Sequence, residues 1–148
     1  MNILITRPLI DAEDLMESFF AHGHKIIHLP TLKISAVETE LVNSDNFDAF
    51  IFTSTNAVRN LKLTSSNRNL HCFCVGSITE KIARQSGFVN TSSAGGTVNA
   101  LKNLIMISDK VNKNSNLAYF CGDNISYDLD LELGKEKLKI KKIINYNS

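Results

Sequence analysis

The 148-residue sequence predicts an α/β protein: a three-layer, doubly wound parallel sheet of five strands, preceded by a separate βαβ unit. Three observations carry this expectation. Uninterrupted apolar runs, Ala49 to Phe52 above all, read as strands buried on both faces, the form strands take in parallel sheets covered by helices. From Ala49 onward strand and helix signals alternate as five strands and four helices, a pattern that calls for right-handed crossovers and a parallel sheet. Finally, strands end abruptly in glycine, serine, threonine or asparagine, where open α/β sheets bind ligands.

Asn2 to Thr6 is the first strand, followed by Arg7-Pro8. Asp11 to Phe20 spaces Ala12, Leu15, Met16, Phe19 and Phe20 along one helix face, and Gly23 ends the helix. Lys25 to Leu29 is the second strand, closed by Pro30. Leu32 to Val37 reads as an extended connector suited to pairing at an edge, and Glu38 to Asn46 is polar. After the Ala49–Phe52 strand, a helix is expected from Thr55 to Leu63 and a polar loop from Thr64 to Asn69.

Leu70 to Val75 is the next strand, stopping at Gly76. Ser77-Ile78-Thr79-Glu80 matches a capping box, with Ser77 as cap and Glu80 reaching back. That helix is expected to bury Ile78, Ile82 and Ala83 and to end at Gly87. Phe88 to Thr91 reads as a short strand, Ser92 to Gly96 as its loop, and Thr97 to Ile107 as a helix. Leu117 to Cys121 is a strand closing at Gly122-Asp123-Asn124; Ser126 to Leu133 is a poorer helix with Gly134 near its end. Leu138 to Ile144 is the last strand, leading to Tyr146.

A hydrophobic content of 43% with 21% charged residues fits a soluble globular chain. Net charge of +1 gives no electrostatic case for nucleic acid or an anionic membrane. The lysines at 135, 137, 139, 141 and 142 are interleaved with Glu132 and Glu136 and read as a solvated helix face and strand edge. No apolar run has the length of a membrane span, and the N-terminus lacks the pattern of a secretory signal. Cys72, Cys74 and Cys121, odd in number and placed in core strands, fit buried thiols in a reducing cytosol, so a cytoplasmic location is expected.

The register of the polar residues carries the functional signal. Thr6-Arg7, Thr53 to Asn56, Gly76 to Thr79, Ser92 to Thr97 and Gly122 to Asn124 all follow a strand's carboxyl end and precede a helix. Helix starts offer unpaired N–H groups and a dipole that favours anions. Any one such loop is explained by local capping, but the shared edge points to a polar, anionic ligand. Phosphate-loop, dinucleotide and nucleophile-elbow signatures are absent. His22, His24 and His28 read as solvated or edge residues, and Cys72 and Cys74 lack a second ligand pair, so no metal site is expected. Asp11, Asp14, Glu38 and Glu40 read as solvated.

Taken in order, Leu4-Ile5-Thr6-Arg7-Pro8, Gly23 with Leu29-Pro30, and Phe47 to Val58 resemble uroporphyrinogen-III synthase, as do Cys74-Val75-Gly76-Ser77-Ile78-Thr79, Gly87-Phe88, Ala94-Gly95-Gly96-Thr97 with Leu101, and Tyr119-Phe120-Cys121-Gly122-Asp123. The Phe52-Thr53-Ser54-x-Asn56-Ala57-Val58 segment is the most specific of these. The resemblance implies cyclisation of the linear tetrapyrrole hydroxymethylbilane, with inversion of its last pyrrole ring, to uroporphyrinogen III on the route to haem. It implies no metal and no cofactor. It also implies two α/β domains joined by a two-stranded connector. Residues 1–31 would begin a discontinuous first domain, 32–37 and 143–148 would be connector strands, and 38–142 would form the inserted, flavodoxin-like domain.

By the same resemblance, Thr53, Ser54, Gly76, Ser77 and Thr79 would hold the substrate's carboxylates from one wall. Gly96, Thr97, Gly122 and Asp123 belong to the same edge, and Arg7 to the other wall. Tyr146 aligns with the family tyrosine that assists loss of the substrate hydroxyl. The family's chain would continue beyond Tyr146 into the first domain, so about half of the usual enzyme is expected to lie outside this sequence. Activity would then need a second copy or a chain supplying the missing half. The competing readings are a truncated, non-catalytic tetrapyrrole-binding module, and an unrelated flavodoxin-like small-ligand binder.

Overall fold

The computed structural model describes residues 1–39, 41–64 and 67–148, and the expectation of a solvated Glu40 and part of the 64–69 loop lie outside them. The chain divides into two compact units, residues 1–35 with Ser148, and residues 36–147.

In the N-terminal unit, β1 (Asn2–Ile5) and β2 (Lys25–His28) pair in parallel, Leu4 opposite Ile27 and Ile5 opposite His28. A 3-10 turn at Leu9–Asp11 leads into α1 (Glu13–Ala21), which ends where Gly23 adopts φ +79°, a conformation glycine tolerates without strain. The expected apolar stripe of α1 is only partly covered. Ala12 is fully buried, but Leu15 and Phe20 are 41% and 74% exposed. Two strands about 4.8 Å apart make a surface too narrow to bury a whole helix face.

The larger unit is the doubly wound sheet. Its strands β3 (Ser35–Ala36), β4 (Ala49–Phe52), β5 (His71–Cys74), β6 (Thr91–Ser93), β7 (Asn116–Gly122) and β8 (Lys139–Asn147) lie in the order β3-β8-β7-β4-β5-β6. The pairs from β8 through β6 are all parallel. The five expected strands are thus joined by a sixth, β3, at the edge beside β8. The last strand also runs three residues past its expected end at Ile144, because Val37 N–H bonds the Asn145 carbonyl and β7 pairs on to Tyr146.

Helices α2 (Thr55–Arg59) and α3 (Ser77–Gln85) cover one face; α4 (Val98–Ile107) and α5 (Leu129–Lys135) cover the other. Alternation along the strands sorts the core accordingly. Phe50, Phe52, Cys72, Cys74 and Phe120 face α2 and α3; Ala49, Ile51, Phe73, Tyr119 and Cys121 face α4 and α5. The first set is an aromatic cluster, with Phe50 edge-on to Phe120 at 4.9 Å and Phe52 stacked on Phe120 at 5.5 Å.

Four local expectations are corrected. The helix expected over 55–63 stops at Arg59, because Asn60 turns the chain and Leu63 leaves to bridge Val42. The strand expected over 88–91 lies at Thr91–Ser93, since Phe88 is drawn into the aromatic core and only the residues after it reach β5. The helix expected over 126–133 begins at Leu129 and carries Gly134 inside its last turn. The capping box is not formed. Gly76 is the N-cap of α3, and Glu80 instead accepts a bond from Thr91 at 2.7 Å. With the helix set in that register, Thr79 and Ala83 form the buried stripe and Ile78 is 72% exposed.

Candidate functional site

The chain leaves β4 for β5 and β6 on one side, then returns to β7 and β8 on the other. The carboxyl ends of β4 and β7 therefore form a topological switch point, the usual ligand crevice of such sheets. Here β4, buried along its whole length, delivers Thr53 and Ser54; Ser54 caps α2 by accepting from Asn56 N–H at 3.1 Å. A pocket of about 180 Å³ opens at this point, lined by Thr53, Ser54, Gly122, Tyr119, Tyr127 and Tyr146 among others. The chain has three tyrosines, and all three line this pocket.

Tyr146 is aimed by a β-bulge. Between β7 and β8 the pairing passes from Cys121–Ile144 to Gly122–Tyr146, so Asn145 is the extra residue. Asn145 is 3% exposed and donates from its side chain to the Ala57 carbonyl at 2.8 Å, tying the bulge to α2. The phenol of Tyr146 lies over Gly122: a Cβ at that glycine would come within 2.7 Å of the ring. The Tyr146 carbonyl accepts from Asp123 N–H at 3.1 Å. Only a residue without a side chain lets the ring lie there.

The polarity of this pocket comes from hydroxyls. Tyr119 is 2% exposed, its hydroxyl 3.3 Å from that of Thr53. Burial pushes the Tyr119 phenol up to about 12, against the smaller opposing effect of the Thr53 bond. Among the described residues no lysine or arginine lines the pocket. On the same face of the sheet Lys142 lies 3.9 Å from Asp128 and 4.0 Å from Asp130, and burial pushes up the Cys121 thiol.

A second depression of about 450 Å³ lies along the same carboxyl edge, between the β5–α3 and β6–α4 loops, and takes in Gly76, Ser77, Thr79 and Gly96. Gly96 has φ +96°, and a Cβ on Gly76 would stand 3.4 Å from the Gly96 Cα, so the two loops approach backbone to backbone. The first turn of α3, Ser77 to Thr79, lines this depression with no side-chain cap on its N–H groups, which in any helix lack intrahelical partners. Beneath them, hydrogen bonds from Thr91 and Ser93 hold the Glu80 carboxyl below its ordinary range.

The expected residues are therefore distributed as follows. Thr53, Ser54, Gly122 and Tyr146 meet at the switch point, and Gly76, Ser77, Thr79 and Gly96 meet in the adjacent depression. Thr97 is occupied as the N-cap of α4, accepting from Ala100 N–H at 3.1 Å. Asp123 turns its carboxylate to Asn124 N–H at 3.0 Å, outside both linings. Arg7 belongs to the N-terminal unit, where its carbonyl meets His28 Nε2 at 2.8 Å. Tyr119, Tyr127 and Asn145 were not legible as site residues. Tyr119 sits within an apolar strand and reads as core; the one available signal was the confinement of every tyrosine to the last thirty residues.

Among the described residues, no group of three histidine, cysteine or acidic side chains could hold a metal ion, and no helix is long and apolar enough to cross a membrane.

No curated protein matches the chain. Similar solved structures are the uroporphyrinogen-III synthetase of Helicobacter pylori, at 21% identity and TM-score 0.59, and two crystal forms of uroporphyrinogen III synthase from the extremely thermophilic bacterium Thermus thermophilus. The Thermus structures are each 14% identical, with TM-scores of 0.61 for a triple mutant and 0.53 for the wild type. The alignments cover 84%, 99% and 99% of this chain but 55%, 62% and 61% of theirs, so the chain spans little more than half their length. Likeness at these identities speaks for the fold. The family model described as uroporphyrinogen-III synthase HemD matches residues 13–148. By that match, which takes in the sheet, both depressions and Tyr146, the chain belongs to the uroporphyrinogen-III synthase family.

Proposed function

We propose that this chain is the α/β module that binds an acidic tetrapyrrole in a uroporphyrinogen-III synthase-type protein, and that cyclisation of hydroxymethylbilane requires a different chain supplying the rest of the cleft. The observation that supports this most is the Tyr146 ring seated on Gly122 in a hydroxyl-lined pocket at the switch point. Thr53 and Ser54 would hold carboxylate groups there, and the amides and hydroxyls of Gly76, Ser77, Thr79 and Gly96 would hold others along the same edge. Gly122 makes room for the phenol, Asp123 and Thr97 fix the loops around it, and Arg7 would serve as a carboxylate ligand of the N-terminal unit.

In the complete site, Tyr146 would donate its phenolic proton to the substrate hydroxyl, which leaves as water. An electron-rich carbon of the last pyrrole then bonds to the resulting cation, that ring's existing bridge bond breaks and re-forms at its other α-carbon, and the C–H proton released there returns to the Tyr146 phenolate. Enclosure and orientation count for more in such chemistry than a strong base. Neither a metal nor a cofactor is required by it.

A coupled assay with fresh hydroxymethylbilane, separating the type III product from the type I isomer that forms without enzyme, tests the proposal. Uroporphyrin III bound with only type I formed supports the module. Type III product above background supports the second reading, a synthase complete as this chain or its oligomer, which the presence of Tyr146 in the pocket favours. Absence of tetrapyrrole binding overturns both.

A further inference from the structure

Tyr119 is a tyrosine in a place that asks only for a phenylalanine. Its ring packs with Leu101, Leu117 and Leu129 on the α4/α5 face, and the same row of the sheet is filled by wholly apolar side chains, Ile51 on β4 and Phe73 on β5. The ring alone satisfies the packing. Its hydroxyl reaches the switch-point pocket, where it meets Thr53 Oγ1 at 3.3 Å. That separation is long beside the ~2.7–2.8 Å usual between hydroxyls.

We infer that Tyr119 and Thr53 form a hydroxyl relay that donates a hydrogen bond to a carboxylate of the bound tetrapyrrole, which makes Tyr119 a ligand-contacting residue in its own right. The inference rests on the reading of this pocket as a tetrapyrrole site. Each hydroxyl has one donor and two acceptor lone pairs. A bond between the two uses one O–H and leaves the other to point into the pocket. Either oxygen can be the donor, so an arriving carboxylate can align both bonds toward itself, and aligned bonds strengthen one another. No cation lines the pocket among the described residues, so an acid group entering it must be met by donors of this kind. Burial keeps the phenol protonated well above neutral pH, so the relay stays a donor over the working range.

Isothermal titration with uroporphyrin III tests the relay on the wild type, Tyr119→Phe, Thr53→Val and the double variant. Loss of a hydrogen bond to a charged group predicts about tenfold weaker binding for each single variant. The double variant should be little weaker than either, because both break one relay. Thermal unfolding of Tyr119→Phe checks that the ring still packs. Wild-type affinity in a folded Tyr119→Phe protein overturns the relay and leaves the tetrapyrrole reading standing. No binding by the wild type overturns that reading and the relay with it.

Discussion

Replacing Gly122 with alanine tests the seat of Tyr146 without touching the tyrosine. The new Cβ would lie 2.7 Å from two ring carbons and 3.0 Å from the phenol oxygen, where ordinary contact starts at 3.4 Å. The ring must therefore retreat by at least about 0.7 Å. Gly122 is not among the glycines with positive φ, so alanine meets no backbone strain, and its smaller unfolded-state entropy offers about 0.4–1 kcal/mol in return. Stability should stay within about 1 kcal/mol of the parent while the site changes. Loss of the phenol's hydrogen bond to the ligand would weaken uroporphyrin III binding about tenfold. Any type III synthesis the protein supports should fall up to about a hundredfold, the scale of a misplacement approaching 1 Å. Calorimetry, product analysis and urea unfolding on the same preparations give the three numbers. Parental binding and product formation in the variant would refute the placement of Tyr146 at the site.

Three further outcomes follow from buried polar groups. Asn145→Ala removes the tie to the Ala57 carbonyl; leaving that carbonyl unpaired should cost about 1–3 kcal/mol in urea unfolding, reduced because the Asn145 side-chain oxygen is itself buried without a partner. His71 has its pKa lowered from 6.5 by burial and then by the Lys110 ammonium, against weaker opposing effects of Asp109 and Glu80. The unfolded chain then takes up the proton first, so stability should decline as pH falls below about 6.5, and His71→Gln should lack that decline. Burial raises the Cys74 thiol to about 12 and pushes Cys72 up as well, so both should resist thiol reagents at pH 8 until the protein unfolds.

The sequence made the layered sheet legible because burial on two faces leaves an unambiguous trace. Ala49–Phe52 and Leu117–Cys121 are apolar throughout, and glycine or hydroxyl residues mark their exits. Local competition was less legible. Ser77-x-x-Glu80 satisfies the rule for a capping box, yet Thr91, eleven residues on, takes the Glu80 carboxylate. Phe88 looked like a strand residue because nothing nearby in sequence reveals the aromatic cluster that draws it inward.

Half of the candidate site followed from register alone, since Thr53, Ser54 and Gly122 stand at strand ends. The other half depends on distance in space. Asn145 reads as an ordinary residue of an alternating strand, and only pairing with β7 makes it the bulge that sets Tyr146 over Gly122. Tyr119 was hidden for the opposite reason, its core role being plain and its hydroxyl's reach into the pocket invisible.

An acidic tetrapyrrole held in the switch-point pocket would lie beside every tyrosine of the chain. Tyrosine labelled with ¹³C yields three ring signals, and every one comes from that pocket. Titration with uroporphyrin III should move all three together, with a common saturation point that Gly122→Ala shifts to higher concentration. Binding seen by calorimetry with all three tyrosine signals unmoved would place the ligand elsewhere and contradict the account.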